Sequence, residues 1–168
     1  MKNLTVLCFL ALFYACNDGD LQIETIDFDS VGINTCESTV TTSSTVFFKL
    51  NSKESLILEL QSGVLKNKSS EGVITSLVPS QSKLTYRVFS DNVTSDYFCN
   101  DIPTTTPLVV EEIEAEDGEI LITTTLTEGT TDTFEHKIEL SGITFITSQD
   151  VRITDLQISE FGTLTTTE

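Results

Sequence analysis

An alternation of apolar and polar residues constrains the fold of this chain more than any other feature. In residues 55–60 (SLILEL), 83–88 (KLTYRV) and 133–140 (TFEHKIEL), apolar side chains occupy nearly every second position. Side chains of a β-strand return to the same face with this period of two. The pattern predicts one-sided strands, as in antiparallel sheets with one face on a core and the other in water.

Further segments are rich in the β-branched and aromatic residues that favour strands. They are residues 21–28, 45–50, 72–78, 108–115, 120–126, 143–147 and 151–158. No long stretch shows the period of 3.6 that is typical of a helix. We therefore predict an all-β fold, an antiparallel β-sandwich or Greek-key barrel of roughly eight to ten strands.

Glycine-containing pairs are interpreted as turns between these strands. Asp117-Gly118 predicts a tight hairpin turn within residues 109–126, because glycine supplies the positive φ that such turns need. Ser141-Gly142 predicts a second turn. The polar end of the chain, residues 164–168, is predicted to fray.

The first 15 residues have the layout of a secretory signal peptide. Lys2 precedes an apolar run that is shorter than the roughly 20 residues of a transmembrane helix. The run ends in Ala15-Cys16, which resembles the lipobox of bacterial lipoproteins. That resemblance implies cleavage after residue 15 and a lipid anchor on Cys16 that holds the protein to a membrane. The alternative is an ordinary signal peptide that is cleaved elsewhere, with Cys16 as a plain thiol.

Two further stretches resemble lipoproteins of Bacteroidota. Residues 17–20 (NDGD) are similar to the export signal that follows the lipidated cysteine. Residues 97–103 (YFCNDIP), with Pro107 and the run 118–125, are similar to a group of small uncharacterised flavobacterial surface lipoproteins. The resemblance implies an outer-membrane lipoprotein that faces the cell exterior. It divides the chain into a signal peptide (1–15), a lipidated acidic tether (16–20) and a single β-sandwich domain (21–168).

Cys36 and Cys99 remain as an even pair once Cys8 is removed and Cys16 is lipidated, and they lie 63 positions apart. In an oxidising compartment such a pair favours a disulfide. Two buried free thiols and a metal pair are the alternatives. The sequence contains no CxxC motif, and its one histidine, His136, is far along the chain from both cysteines. We therefore predict no metal site and no cofactor.

Acidic residues dominate the charge of the chain. Without Lys2, eight basic residues remain against 26 acidic residues, a net charge of −18. This excess repels phosphate backbones and anionic membrane surfaces, so nucleic acid is not expected as a partner.

The densest acidic run is residues 111–119, in which alternation places Glu112, Glu114 and Glu116 on one strand face. Calcium or nearby lysines would ease their repulsion. A solvated hairpin tip that discourages edge pairing is the favoured interpretation.

Catalytic motifs are absent from the sequence. No G-x-S-x-G elbow and no glycine-rich phosphate loop is present. His136 shares its predicted strand face with Phe134 and Ile138, whereas Glu135 points to the opposite face and cannot orient the imidazole. We expect His136 to be packed and hydrogen-bonded, and we predict no catalytic residues and no enzymatic activity.

The favoured function is a tethered binding or adhesion module with a glycan or protein ligand at the cell surface, because β-sandwiches present loops at their ends. Tyr97 is the one tyrosine expected to be exposed. The alternative is a structural or accessory subunit of an outer-membrane assembly. A loop-centred site predicts that the isolated protein binds a ligand, whereas an accessory role predicts a specific complex in cells.

Overall fold

The computed structural model describes residues 26–102, 104–148, 150–153 and 159–168. These ranges contain eight strands and one short helix. In chain order they are β1 (Val46–Asn51), β2 (Glu54–Glu59), β3 (Ile74–Val78), β4 (Lys83–Phe89), α1 (Asp96–Cys99), β5 (Val109–Leu126), β6 (Thr133–Ile146), β7 (Arg152–Ile153) and β8 (Glu160–Thr167). Every strand pair is antiparallel. The all-β, antiparallel fold class is confirmed.

The strands form a sheet in the order β1-β2-β4-β5-β6-β7, curled into a half-barrel. The two long strands, β5 and β6, each pair with different neighbours along their length and so connect the two ends of the sheet. The first part of β5 pairs with β4, and its middle part, residues 118–122, pairs with β3. Likewise β6 pairs with β8 over its first part and with β7 near its end. Each of these two strands therefore contributes side chains to both parts of the curled sheet.

The predicted hairpin at Asp117-Gly118 is wrong, because β5 continues through this pair for 18 residues. Register shifts on both sides of Asp117 mark bulges in its pairing with β6. Gly118 has φ of +129°, and a Cβ there would lie 2.9 Å from the Cα of Ile143. Glycine serves a bulge and a close backbone approach here instead of a turn.

The predicted turn at Ser141-Gly142 is also wrong, since both residues lie inside β6. Nor does the end of the chain behave as predicted. Residues 160–167 form β8 against β6, and Leu164 and Thr166 are buried there. Pairing with β6 supplies the hydrogen bonds that an isolated polar tail lacks.

Several predictions fall wholly or partly outside the described residues. These are the signal peptide, the tether with Cys16, residues 21–25 of the first predicted strand and residues 154–158 of the last one. Ile26 and Phe28 are buried without strand structure, and β7 covers Arg152–Ile153 only.

The core lies on one face of the curled sheet. Alternation along the strands supplies it as the sequence predicts, with Leu56 and Leu58 from β2 and Leu84 and Tyr86 from β4. Phenylalanines are the bulkiest of the fully buried side chains among the described residues, and Phe28, Phe47, Phe145 and Phe161 are examples. Burial of aromatic rings of this size is a dominant source of stability in a β-fold.

Candidate ligand-binding cleft

The predicted disulfide is present: Cys36 and Cys99 are bonded, with their Cα atoms 5.1 Å apart. It joins the last residue of α1 to the segment that precedes β1. The alternatives of free thiols and a metal pair are thereby excluded for these two cysteines.

A cluster of four aromatic rings holds α1 against the face of the sheet opposite the core. Phe47 of β1 enters the core, so its neighbour Phe48 points to the opposite face. There Phe48 stacks on Phe98 of α1, with ring centroids 4.6 Å apart. Phe89 of β4 meets Tyr97 edge to face at 4.9 Å. The helix has only four residues, too few to show a helical period, and sequence reasoning missed it.

Next to this cluster lies an open cleft of about 620 Å³, within the volume range of small-ligand sites. Its walls come from the loop after β4, from α1 and from the segment before β5. The lining residues are Ser90, Asp91, Asn92, Thr94, Asp96, Tyr97, Asn100, Thr104, Thr106 and Pro107. Hydroxyl, amide and carboxylate groups therefore surround one half-buried aromatic ring.

Hydrogen bonds donated by backbone amides fix the walls of the cleft. The Ser90 amide donates to the Leu108 carbonyl at 2.8 Å, and the Leu108 amide donates to the Ser90 hydroxyl at 2.9 Å. The Val93 amide donates to the Ser52 carbonyl at 2.9 Å. These bonds tie both flanking loops to strand ends, which reduces the ordering cost of binding.

The charge of the cleft is negative. Asp91 and Asp96 lie in its lining, and Lys53 Nζ is 3.9 Å from Asp91 Oδ1. Both partners of that ion pair are exposed, so it contributes little. Carboxylates accept hydrogen bonds from neutral hydroxyls, and side-chain amides both donate and accept them, whereas the net charge disfavours an anion.

His136 is packed and hydrogen-bonded, as predicted. Its side chain is fully buried, with Nδ1 2.9 Å from the Thr124 hydroxyl and Nε2 2.8 Å from the Thr166 hydroxyl. Thr166 donates its hydroxyl proton to Asn67 Oδ1 at 2.6 Å, so it accepts from Nε2–H. Glu135 is exposed on the opposite face, as expected. Burial lowers the pKa of His136, which favours the neutral imidazole.

The acidic run 111–119 lies in the middle of β5 and is not a hairpin tip. Glu112 forms an ion pair with Arg87, and Glu114 Oε1 is 3.9 Å from Lys83 Nζ. Basic side chains of β4 thus ease the repulsion, one of the two explanations that the sequence left open. Within the described ranges, no group of three or more histidine, cysteine or acidic side chains is arranged to hold a metal ion.

No protein-family model, no curated protein and no solved structure matches this chain. Among the described residues, no helix has the length and apolar character needed to cross a membrane.

Proposed function

We propose that this protein is a lipid-anchored cell-envelope protein, attached through Cys16 to the outer membrane and facing the cell exterior. It acts as a binding or adhesion module without enzymatic activity, and its ligand is a neutral glycan that enters the cleft beside α1. The observation that carries the proposal is the combination of one aromatic ring with hydroxyl, amide and carboxylate groups in that cleft.

Glycans present hydroxyls on their edges and apolar C–H groups on the faces of their rings. Tyr97 is half-buried, and its ring is braced by Phe89 and Phe98. A braced ring offers an apolar face at little entropic cost. The surrounding Asn92, Asn100 and Asp96 supply donors and acceptors for hydroxyls.

The test is a glycan array with the purified protein, followed by titration of the best neutral glycan. Tyr97→Ala should weaken binding at least tenfold, whereas Tyr97→Phe, which keeps the ring, should lose less. Asn100→Ala should also weaken binding without touching the aromatic cluster. Glu71→Gln, in an exposed loop outside the cleft, is the matched control and should leave affinity unchanged.

Two results would contradict this proposal. One is the absence of any array signal that competes with free glycan. The other is a bound glycan whose affinity is equal in the native protein and in Tyr97→Ala. A thermal unfolding curve for each variant separates lost binding from lost folding.

One observation favours the accessory-subunit function instead. Ile102, Leu108 and Val110 are exposed apolar side chains close together in the sequence, with exposures of 82%, 63% and 67%. Among the described strands, only β4 pairs with residues 109–114 of β5, so one edge of that stretch is open. A partner strand could add to such an edge. Crosslinking in cells would then recover a specific complex, and Val110→Lys would abolish it.

A further inference from the structure

A second cavity, separate from the cleft beside α1, has a buried lysine in its wall. Lys49 belongs to β1 and points to the core side, as Phe47 does two positions earlier. It is only 2% exposed. Its strand neighbour in register is Leu56, a fully buried core residue. A lysine at such a position is unusual, because lysines are almost never fully buried unless they are paired.

Among the described residues, no close ion pair and no hydrogen bond satisfies this ammonium group. None of the ion pairs there includes Lys49, and no hydrogen bond from its Nζ is present. Its Nζ lies over the ring of Phe161, 5.8 Å from the ring centroid, which is a cation–π contact. A buried ammonium that donates no hydrogen bond is costly, so an acceptor atom supplied by a ligand would stabilise it.

The cavity beside Lys49 has a volume of about 480 Å³. Its lining divides into three chemical types. Lys49 is the one cation, Val31, Ile33 and Phe161 are apolar, and Asp29 and Glu160 are anionic. The remaining lining residues are Gly32, Ser159, Gly162 and Thr163.

The two carboxylates of the lining, Asp29 and Glu160, both act on the ammonium of Lys49. Burial lowers the pKa of Lys49, while Asp29, Glu160 and Asp27 oppose this by raising it. These carboxylates would repel a simple organic anion that approached Lys49. A ligand that carries a cation beside its anion avoids this repulsion, because it can neutralise both kinds of group.

We propose that this cavity binds a free α-amino acid with an apolar side chain. Its carboxylate pairs with Lys49, its ammonium faces Asp29 and Glu160, and its side chain packs among Ile33 and Phe161. In an α-amino acid both charges are attached to one carbon atom, which suits a small cavity where a cation and carboxylates share the lining. The volume is within the range of small-ligand pockets.

The test uses L-phenylalanine as the probe in a calorimetric titration of the purified protein. Phenethylamine, which lacks the carboxylate, and 3-phenylpropionate, which lacks the ammonium, are the ligand controls. We expect saturable binding of L-phenylalanine and at least tenfold weaker binding of both controls. Lys49→Met keeps the length and apolar stem of the side chain but removes its charge, and it should weaken binding at least tenfold. Lys53→Met, an exposed lysine in the turn after β1, should leave it unchanged.

Three results would overturn the proposal. They are no saturable binding of L-phenylalanine, equal binding by Lys49→Met, and equal binding of phenethylamine. Should Lys49→Met fail to fold, Asp29→Asn is the second test, and it should also weaken the binding of L-phenylalanine. Asp29 is exposed in a turn, so this substitution changes no core side chain. Affinity unchanged in that variant would likewise count against the site.

Discussion

The buried imidazole of His136 should make the stability of this protein fall as the pH falls below about 6.5, the ordinary pKa of histidine. The folded protein holds the neutral ring between Thr124 and Thr166, and burial lowers its pKa. In the unfolded chain the same ring is solvated and takes up a proton at its ordinary pKa. The unfolded state therefore binds more protons as the pH decreases, which favours unfolding.

The magnitude follows from this linkage. Each pH unit below the unfolded-state pKa costs at most about 1.4 kcal/mol of unfolding free energy. The loss between about pH 7 and about pH 5 is at most about 1.9 kcal/mol, the limit for a folded ring that takes up no proton. That is a large part of the 5–15 kcal/mol of net stability typical of a domain. Above about pH 7 the contribution is constant, because the ring is neutral in both states.

The assay is urea unfolding at a series of pH values for the native protein and for His136→Gln. Carboxylates titrate in both proteins and cancel in the difference, which leaves the contribution of the imidazole. Since the sequence contains a single histidine, its ring resonances can also be followed directly by NMR. In the folded protein their titration midpoint should lie below about 6.5, the ordinary pKa of histidine.

Two results would refute this reasoning. A folded-state ring that titrates near its ordinary pKa would mean that burial does not exclude the proton. A stability difference between the two proteins that is flat across the same pH range would mean that the linkage is absent.

Two further predictions concern the disulfide and the bulge at Gly118 in β5. Replacing Cys36 and Cys99 by serine should lower the free energy of unfolding by about 4 kcal/mol, the chain-entropy value for a loop of 63 residues, and unfolding with and without reductant checks it. Gly118→Ala should cost about 1–3 kcal/mol, because φ is +129° and the new Cβ would lie 2.6 Å from Ile143 Cδ1. Gly72→Ala is the matched control, because a Cβ at residue 72 would have no contact within 4 Å. Equal midpoints of thermal unfolding for Gly118→Ala and Gly72→Ala would contradict the strain argument.

Much of the fold could be predicted because the alternation of apolar residues is local. Segments 55–60 and 83–88 became β2 and β4 almost without change. The burial of His136 follows from the same rule, since Phe134 and Ile138 share its face and both are buried. The disulfide could be predicted from the even number of cysteines left after residue 16 and from the oxidising compartment that the first 16 residues predict.

The candidate sites could not be predicted to the same degree. Tyr97 was expected to be exposed, but the cleft beside it depends on α1, on the loop after β4 and on the segment before β5, which lie apart in the sequence. Nothing in the sequence indicated that Lys49 is buried, because a lysine in a strand normally points to water. In the folded protein its ammonium instead lies 5.8 Å from the ring centroid of Phe161, a residue of β8 that is distant in the sequence.

The sequence by itself determined the strand period, the face that each strand buries and the cysteines available for a disulfide, because these depend on backbone geometry and residue type. The tertiary structure alone decided that β5 and β6 run on through Gly118 and Gly142 and that the polar end forms β8. A glycine with positive φ serves a turn or a bulge equally well. Only the pairing with a distant strand selects between them.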